Sequence, residues 1–521
     1  RRGNSQSKGF IPVGWFPTSV RVVGNKLFVA NGKGFSSFAN PRGPQPVNKG
    51  VRSESHKGEE ASADGRMQYI GSLMKGTLSI IDAPGSAQLA AHSQQVYQNT
   101  PYREERKLIS EGEAGNPVPT RVGQGGSPVK HVFYVIKENR TYDQVLSDLP
   151  AGDGDTTLLF FPRRMSPNHH ALAERFGLYD RFFVNAEVSA DGHNWSTAAY
   201  TTDYTQKTVP SNYSGRGRSY DYEGTNRGRV PSDDDDDDVA EPAKGYLWDL
   251  AKRKGITFRN FGEFVVPDGA TGTAPEGYRG VKPFLVANTS REFPGYNLDI
   301  QDQRRADIWI KELNGWVAAG EMPQLQIVRL PNDHTHGASA NKPTPQAHMA
   351  DNDLALGRMV EAVSKTKFWA STAIFVLEDD AQNGPDHVDS HRSLLFVVSP
   401  WATSEAQHRF VNTTDVIATM EALLGLDALS PYDHYGRPLR EIWRSAPDVR
   451  PYVALVPSTP LTDRNPARGT GAIESRKLDL RYEDVAEEDA FNRILWHAIK
   501  GTKVPYPGPT RMSAAEVVRS W

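Results

Sequence analysis

Residues 373–393 read AIFVLEDDAQNGPDHVDSHRS, an apolar run that stops at Glu378, Asp379 and Asp380 and continues into Asp386, His387, Asp389 and His391. Carboxylates and imidazoles are the donors taken by Zn²⁺, Mn²⁺, Mg²⁺ or Ca²⁺, and none of these ions requires a thiolate. Two adjacent carboxylates at a sheet edge repel each other unless a cation offsets them, which makes Asp379 and Asp380 metal-ligand candidates. The same juxtaposition recurs three times. HVFYVIK is followed by Glu138, Asn139, Arg140 and Thr141; DRFFVNAEV by Ser189 in SADGHNW; LQIVRL by PNDHTHG, which offers Asn332, Asp333, His334 and His336. Ser189 and Thr141 are hydroxyls that a metal can activate as nucleophiles. A hydroxyl among metal ligands suits phosphoryl transfer, where catalysis is mainly positioning and neutralisation of charge.

Plainer readings stand beside these. Glu138 and Asn139 are also suited to capping the helix suggested by TYDQVLSDL. Arg140 either holds a phosphate oxygen or pairs with an acid such as Asp143, and His169 and His170, inside the helical PNHHALAERFG, read as structural. By strand alternation Glu378 points away from Asp379.

The elements that must position these residues follow from apolar patterning. HVFYVIK, GLYDRFFV, ITFRNFG, PQLQIVRL, TAIFVLE and SLLFVVSP read as strands, with helical patterns such as YLWDLAKRKG and DNDLALGRMVEAVSKT between them. Alternating strands and helices predict an α/β doubly wound sheet, whose sites form beyond the carboxyl ends of the strands. Near the start, TSVRVV and KLFVAN joined by GN predict a hairpin, with GTLSIIDAP as a third strand. The expected organisation is a β segment over 1–85, a helix and linker over 86–128, and the catalytic-type domain over 129–521 with inserts near 205–245 and 264–300. The run Asp233 to Asp238 reads as a solvated acidic block, and YEDVAEEDAFNRILWHAIKG as an amphipathic C-terminal helix.

Composition removes other classes. Across 521 residues the net charge is −3, with no basic block, so nucleic acid is not an expected partner. The absence of cysteine excludes disulfides, thiolate metal sites and a Cys nucleophile. No window approaches the roughly 18 apolar residues of a transmembrane helix.

HVFYVIKENRTYDQVL resembles the Glu-Asn-Arg-Ser/Thr signature opening the phosphoesterase family that includes nonhaemolytic phospholipase C and a bacterial acid phosphatase, within the alkaline phosphatase superfamily. TAIFVLEDDAQNGPDHV is similar to a later strand and Asp-His-Val segment of that family, and SADGH to the Ser-x-x-Gly-His nucleophile turn of cofactor-independent phosphoglycerate mutases. The resemblance spans roughly residues 128–445. It implies an alkaline-phosphatase-type sheet, one or two divalent metal ions, and hydrolysis of a small-molecule or lipid phosphate ester. It further implies Ser189 as nucleophile, with Glu138, Asn139, Asp379 and Asp380 holding one metal. Asp333 and His334, with His387 or His391, are the candidates for a second; Arg140 or Asn194 would stabilise phosphoryl oxygens, and His336 or His387 would protonate the leaving group. Two departures stand out: Asn332 occupies an Asp position when His336 is aligned, and the Thr-x-Pro-Asn turn of the phospholipase C branch is absent. PVGWFPTSVRVVGNKLFVANGKG resembles the closing blade of a bacterial seven-bladed β-propeller, implying further blades on the same precursor chain and a periplasmic or secreted protein. SADGH does not fit the Cys/Ser-x-Pro-x-Arg motif of sulfatases. The alternative from another class is a noncatalytic scaffold with a structural metal.

Overall fold

The structure, a computed structural model, describes residues 6–34, 75–100, 115–120, 125–186, 188–212, 220–227, 230–232, 237–269, 275–382 and 384–508. Asp233 to Asp236 of the acidic run lie outside the described residues, as do 101–114 of the expected linker.

The strands are β1 (Pro17–Val23), β2 (Lys26–Asn31), β3 (Thr77–Asp82), β4 (His131–Lys137), β5 (Phe258–Phe261), β6 (Leu325–Leu330), β7 (Thr372–Glu378) and β8 (Leu395–Val398). The principal helices are α1 (Ser86–Asn99), α2 (Tyr142–Leu146), α3 (Pro167–Phe176), α4 (Ser189–Ala198), α5 (Leu247–Lys254), α6 (Asp302–Ala319), α7 (Pro345–Ser364), α8 (Thr413–Leu424) and α9 (Glu488–Lys500). A five-stranded sheet runs in the order β8-β7-β4-β6-β5. β7, β4, β6 and β5 are parallel, and β8 is antiparallel to β7.

Period-two alternation sends the strand residues into two apolar layers. Phe133, Val135, Val328, Leu330, Ile374 and Val376 face α3, α6, α7 and α9, whereas Val132, Tyr134, Ile136, Ile327, Phe375 and Leu377 face α5 and α8. Both faces are covered, which is why these strands read as unbroken apolar runs. Local signals fix the helix starts. The Thr344 side chain accepts from Ala347 N ahead of Pro345 in α7, and Asn412 accepts from Asp415 N at the start of α8.

Two expectations change. GLYDRFFV forms only a two-residue strand, Phe182–Phe183, paired with Val411–Asn412 outside the main sheet; its apolar character reflects burial, not a central position. SLLFVVSP joins the main sheet antiparallel. Residues 379–394 contain no helix among those described and return the chain along the same edge, as an antiparallel partner requires.

The N-terminal hairpin and third strand form a separate antiparallel sheet, β1-β2-β3, with β1 exposed along its length. Among the described residues no helix is long and apolar enough to cross a membrane.

Strand register sets the level at which the polar strand ends emerge. β4 and β7 pair from His131↔Thr372 to Lys137↔Glu378, and β4 and β6 end together at Lys137↔Leu330. The next residues along each chain, Glu138, Asp379 and Pro331, therefore leave the sheet level with one another. Phe375 lies at the centre of β7 with no exposed surface. Phe375→Ala is expected to lower unfolding free energy by about 3–5 kcal/mol, read as an earlier midpoint in denaturant titration; an unchanged midpoint would contradict this account of the core.

Candidate active site

Ser189 opens α4, and all ten residues of that helix are buried. Its Oγ lies 2.9 Å from Asp380 Oδ2, 3.3 Å from Asn139 Oδ1 and 3.5 Å from Glu138 Oε2. Three chain segments converge on one hydroxyl. Glu138 and Asn139 come from the end of β4, Asp379 and Asp380 from the end of β7, and Ser189 from a helix start whose dipole favours an anion. Asn139 adopts φ 68°, a left-handed conformation that Asn accepts more readily than most residues and that turns its side chain into this space.

α4 can approach only because its fourth residue is glycine. A Cβ on Gly192 would stand 2.8 Å from the Asp379 carbonyl oxygen and 3.2 Å from Asp379 Cβ. One turn after Ser189, His193 projects from the same helix face. Its Nδ1 lies 2.8 Å from Glu263 Oε1, and its Nε2 lies 3.4 Å from both Glu138 Oε1 and Asp379 Oδ2. Glu138, His193 and Asp379 thus offer ligand atoms within 4.8 Å of one another. Arg329, from β6, closes the cluster with Nε 2.8 Å and Nη2 2.6 Å from Glu138 Oε1, and Nη2 3.1 Å from Glu483 Oε1.

The electrostatics are those of too many buried acids. Burial raises the pKa of Asp379, Glu138 adds to the rise, and His193, Ser189 and Arg329 offset it only in part. Burial likewise raises Asp380, reinforced by Asp379 and Asp484. Glu138 goes the other way: burial opposes its charge, but Arg329 and His193 outweigh burial and bring it down to about 2. Burial and Arg329 disfavour a charge on His193, whereas Glu263, Glu223 and Asp379 favour one and prevail, raising its pKa.

These residues fit a hard divalent cation. Oxygens of Glu138, Asn139 and Asp380 surround Ser189 Oγ, Asp379 Oδ1 lies beside the Asn139 amide, and the buried Asp379 Oδ2 makes no hydrogen bond. The Asn139 carboxamide oxygen faces only acceptors; turned over, its nitrogen would lie 3.0 Å from Asp379 Oδ1 and 3.1 Å from Asp380 Oδ2. In that orientation its oxygen would accept from Gln382 Nε2 at 3.3 Å, so the amide is satisfied either as a donor to the two aspartates or as an oxygen ligand of a cation.

The remaining candidates fall into other surroundings. Thr141 caps α2, accepting from Gln144 N and donating to Pro385 O at 2.7 Å, so neither Glu138 nor Asn139 serves as that cap. Asp333 Oδ2 lies 2.7 Å from Lys137 Nζ, and its Oδ1 accepts from Glu138 N. The same ammonium lies 2.9 Å from Glu378 Oε1. Burial and Asp333 push Glu378 up to about 8. Glu378 is thus engaged by Lys137, away from the Ser189 cluster. His334 stacks on Phe491, and burial holds its pKa below the usual histidine value. His336 meets His348 and Asp299. Asn194 Nδ2 donates to Ala190 O, and its Oδ1 accepts from Tyr246 Oη.

His387 Nδ1 lies 2.6 Å from Asp143, on an exposed ring beside Arg392, while His391 pairs with Asp389. Asp143, Asp386 and His387 also form a ligand-like group, but Arg392 already neutralises both carboxylates. Asp143 is therefore not paired with Arg140. Arg140, fully buried, donates from Nη2 to His334 O, and its Nε and Nη1 have no partner.

Sequence reasoning missed His193, Arg329, Glu263, Glu483 and Asp484. The i, i+4 spacing of Ser189 and His193 was a usable signal for the first, and a lone charge near the end of LQIVRL for the second. Glu483 and Asp484 lie nearly three hundred residues beyond Ser189 and carry no motif.

The phosphoesterase family pattern matches residues 149–427. That span includes Ser189, Asp379 and Asp380 and begins after Glu138. No curated protein matches the chain. Solved structures similar to it include a protein in the alkaline phosphatase superfamily from Vibrio parahaemolyticus, at 16% identity over 65% of this chain and 76% of that one, with a TM-score of 0.39. The phosphonate monoester hydrolase of Agrobacterium radiobacter is similar at 14% identity over 60% and 79%, with a TM-score of 0.35. The lipoteichoic acid synthase LtaP from Listeria monocytogenes is similar at 11% identity over 78% and 98%, with a TM-score of 0.38.

Gly192→Ala is expected to force α4 and the Asp379 backbone apart, costing about 1–3 kcal/mol of stability. A melting temperature equal to the parent's would show that the close approach is not required.

Proposed function

The chain belongs to the phosphoesterase family and is an ester-hydrolysing enzyme; from that premise we propose that it hydrolyses phosphate esters with Ser189 as nucleophile and a divalent cation held by Glu138, Asn139, Asp379 and Asp380. The observation that carries this reading is the position of Ser189 Oγ, within 2.9–3.5 Å of three of those four side chains.

In the proposed reaction, Asp380 Oδ2, the nearest acceptor of the Ser189 hydroxyl, takes its proton as Oγ attacks phosphorus. The bound cation would supply neutralisation of charge on the reacting oxygens. Arg140 offers two buried, unpartnered N–H groups to a phosphoryl oxygen, which suits a transition state whose charge is spread over equatorial oxygens. Arg329 and Glu263 are positioning residues, the first fixing Glu138 and the second the ring of His193. As the Ser189 bond to phosphorus forms, the bond to the ester oxygen breaks and the leaving alkoxide takes a proton from water; water then attacks the phosphorylated Ser189, Asp380 returns its proton to Ser189 Oγ, and inorganic phosphate leaves.

The ligand set of oxygen donors favours Mg²⁺, Mn²⁺ or Ca²⁺, with Zn²⁺ better served if His193 joins it. The exposed β1 edge suits pairing with further strands of the precursor chain, in line with its resemblance to a propeller blade.

Ser189→Ala should lower hydrolysis of an aryl phosphate by at least about a thousandfold with metal content retained, and Asp379→Asn with Asp380→Asn should lower the metal content itself. Full activity in the first variant would remove Ser189 as nucleophile, and unchanged metal stoichiometry in the second would remove the two carboxylates from the ligand set. An aryl sulfate assayed in parallel separates phosphate from sulfate esters.

A further inference from the structure

The reacting groups are shut in. Ser189, Glu138 and Asp380 have no exposed surface, and Asp379 and Asn139 have 1% each. A phosphate ester reaches Ser189 only if some part of the protein moves aside.

One part of that cover is the stretch between the short helix Ala472–Ser475 and α9, which has neither helix nor strand from residue 476 to 487 and touches the site through Asp484 and Glu483. Its side chains divide between solvent and site. Arg481 and Tyr482 lie on the outside, exposed, whereas Glu483 and Asp484 turn inward and are buried. Asp484 makes that turn with φ 57°, a left-handed conformation that is costly for a residue other than glycine.

Both inward carboxylates sit on groups suited to phosphate. Asp484 Oδ2 accepts from Ala190 N at 2.7 Å, and Glu483 Oε1 lies 3.1 Å from Arg329 Nη2. Ala190 follows the Ser189 nucleophile at the start of a ten-residue helix, so its N–H points where a non-bridging oxygen lies when Ser189 Oγ attacks phosphorus. Asp484 Oδ2 stands in for that oxygen. The stretch is tethered beyond this point by Phe491 stacked on His334 and by Asn492 Nδ2 donating to Gln382 O at 3.0 Å, so it can lift without α9 leaving the core.

We propose that residues 479–487 form an autoinhibitory strap in which the Asp484 carboxylate fills the seat of a phosphoryl oxygen, and that a phosphate group must displace it to bind. The proposal rests on the reading of Ser189 as a phosphoesterase nucleophile. A tethered carboxylate competes at high effective concentration, so the observed affinity for phosphate is reduced by the fraction of molecules in which the strap is lifted.

The test is inorganic phosphate binding to the full chain by isothermal titration calorimetry. Asp484→Ala is expected to bind phosphate at least about tenfold more tightly than the parent, and Asp484→Asn, which keeps an acceptor without the charge, to fall between them. Phosphate binding by Asp484→Ala that is equal, weaker or absent overturns the proposal. Hydrogen exchange on the unmutated protein gives a second readout. Saturating phosphate should speed exchange of the amides in 479–487 several-fold, and unchanged or slower exchange overturns the proposal independently of any variant. Neither measurement needs turnover, so failure of the strap is distinguishable from failure of the Ser189 assignment, which the hydrolysis assay reads.

Discussion

The rest of the site depends on one constraint: several carboxylates are buried together at the end of the sheet, and their charge must be offset without water. Glu138, Asp379, Asp380, Glu263, Asp333 and Glu378 all have 1% exposure or less. Removing ions from water costs several kcal/mol each, and only well-placed opposite charge recovers it. The protein supplies that charge in separate places. Lys137 serves Asp333 and Glu378 beneath the site, and Arg329 serves Glu138 at its side. Asp379 and Asp380 repel each other and have only partial compensation, from His193 and Arg329 for Asp379, and from the Ser189 hydroxyl and the Gln382 N–H for Asp380. The partition explains why the shifts diverge. Glu138 ionises readily beside its guanidinium, whereas burial and mutual repulsion resist charge on the two aspartates. A divalent cation held between them, as proposed, would relieve that repulsion beside the Ser189 hydroxyl.

Geometry makes this concentration of charge possible. Parallel strands in matched register deliver Glu138 and Asp379 to the same level, and the lack of a Cβ at Gly192 lets the start of α4 come down onto them. The two apolar layers on either face keep the strands fixed, so a site built from their ends inherits their rigidity. The stretch that crosses over the site is of a different kind, irregular and exposed on its outer side. Access and chemistry are therefore assigned to different parts of the chain.

Much of this was readable from sequence because strand ends in an α/β sheet announce themselves: an apolar run breaking into Asp379 and Asp380 is hard to explain without a cation, and a serine opening the next buried helix is a natural companion. The structure brings Ser189, Glu138, Asn139, Asp379 and Asp380 together. His387 and His391 looked equivalent to the two aspartates because they belong to the same loop, yet that loop returns to the sheet along β8 and carries them to Asp143 and Asp389. Sequence proximity does not specify where a loop goes. Asp333 seemed free to bind metal because the lysine that pairs with it is two hundred residues earlier, on a strand whose alternation hid which way its last side chain points. Asp484 could not be seen at all: nothing in YEDVAEED distinguishes the acid that enters the site from its neighbours.

The central claim is that Glu138, Asn139, Asp379 and Asp380 hold one divalent cation beside the Ser189 hydroxyl. Anomalous diffraction at the manganese edge, from crystals grown with Mn²⁺, tests it most directly. A peak is expected within bonding distance of Asp379, Asp380, Glu138 and Asn139, beside Ser189 Oγ. A map with no peak there, or with its principal peak between Asp143, Asp386 and His387, would contradict it.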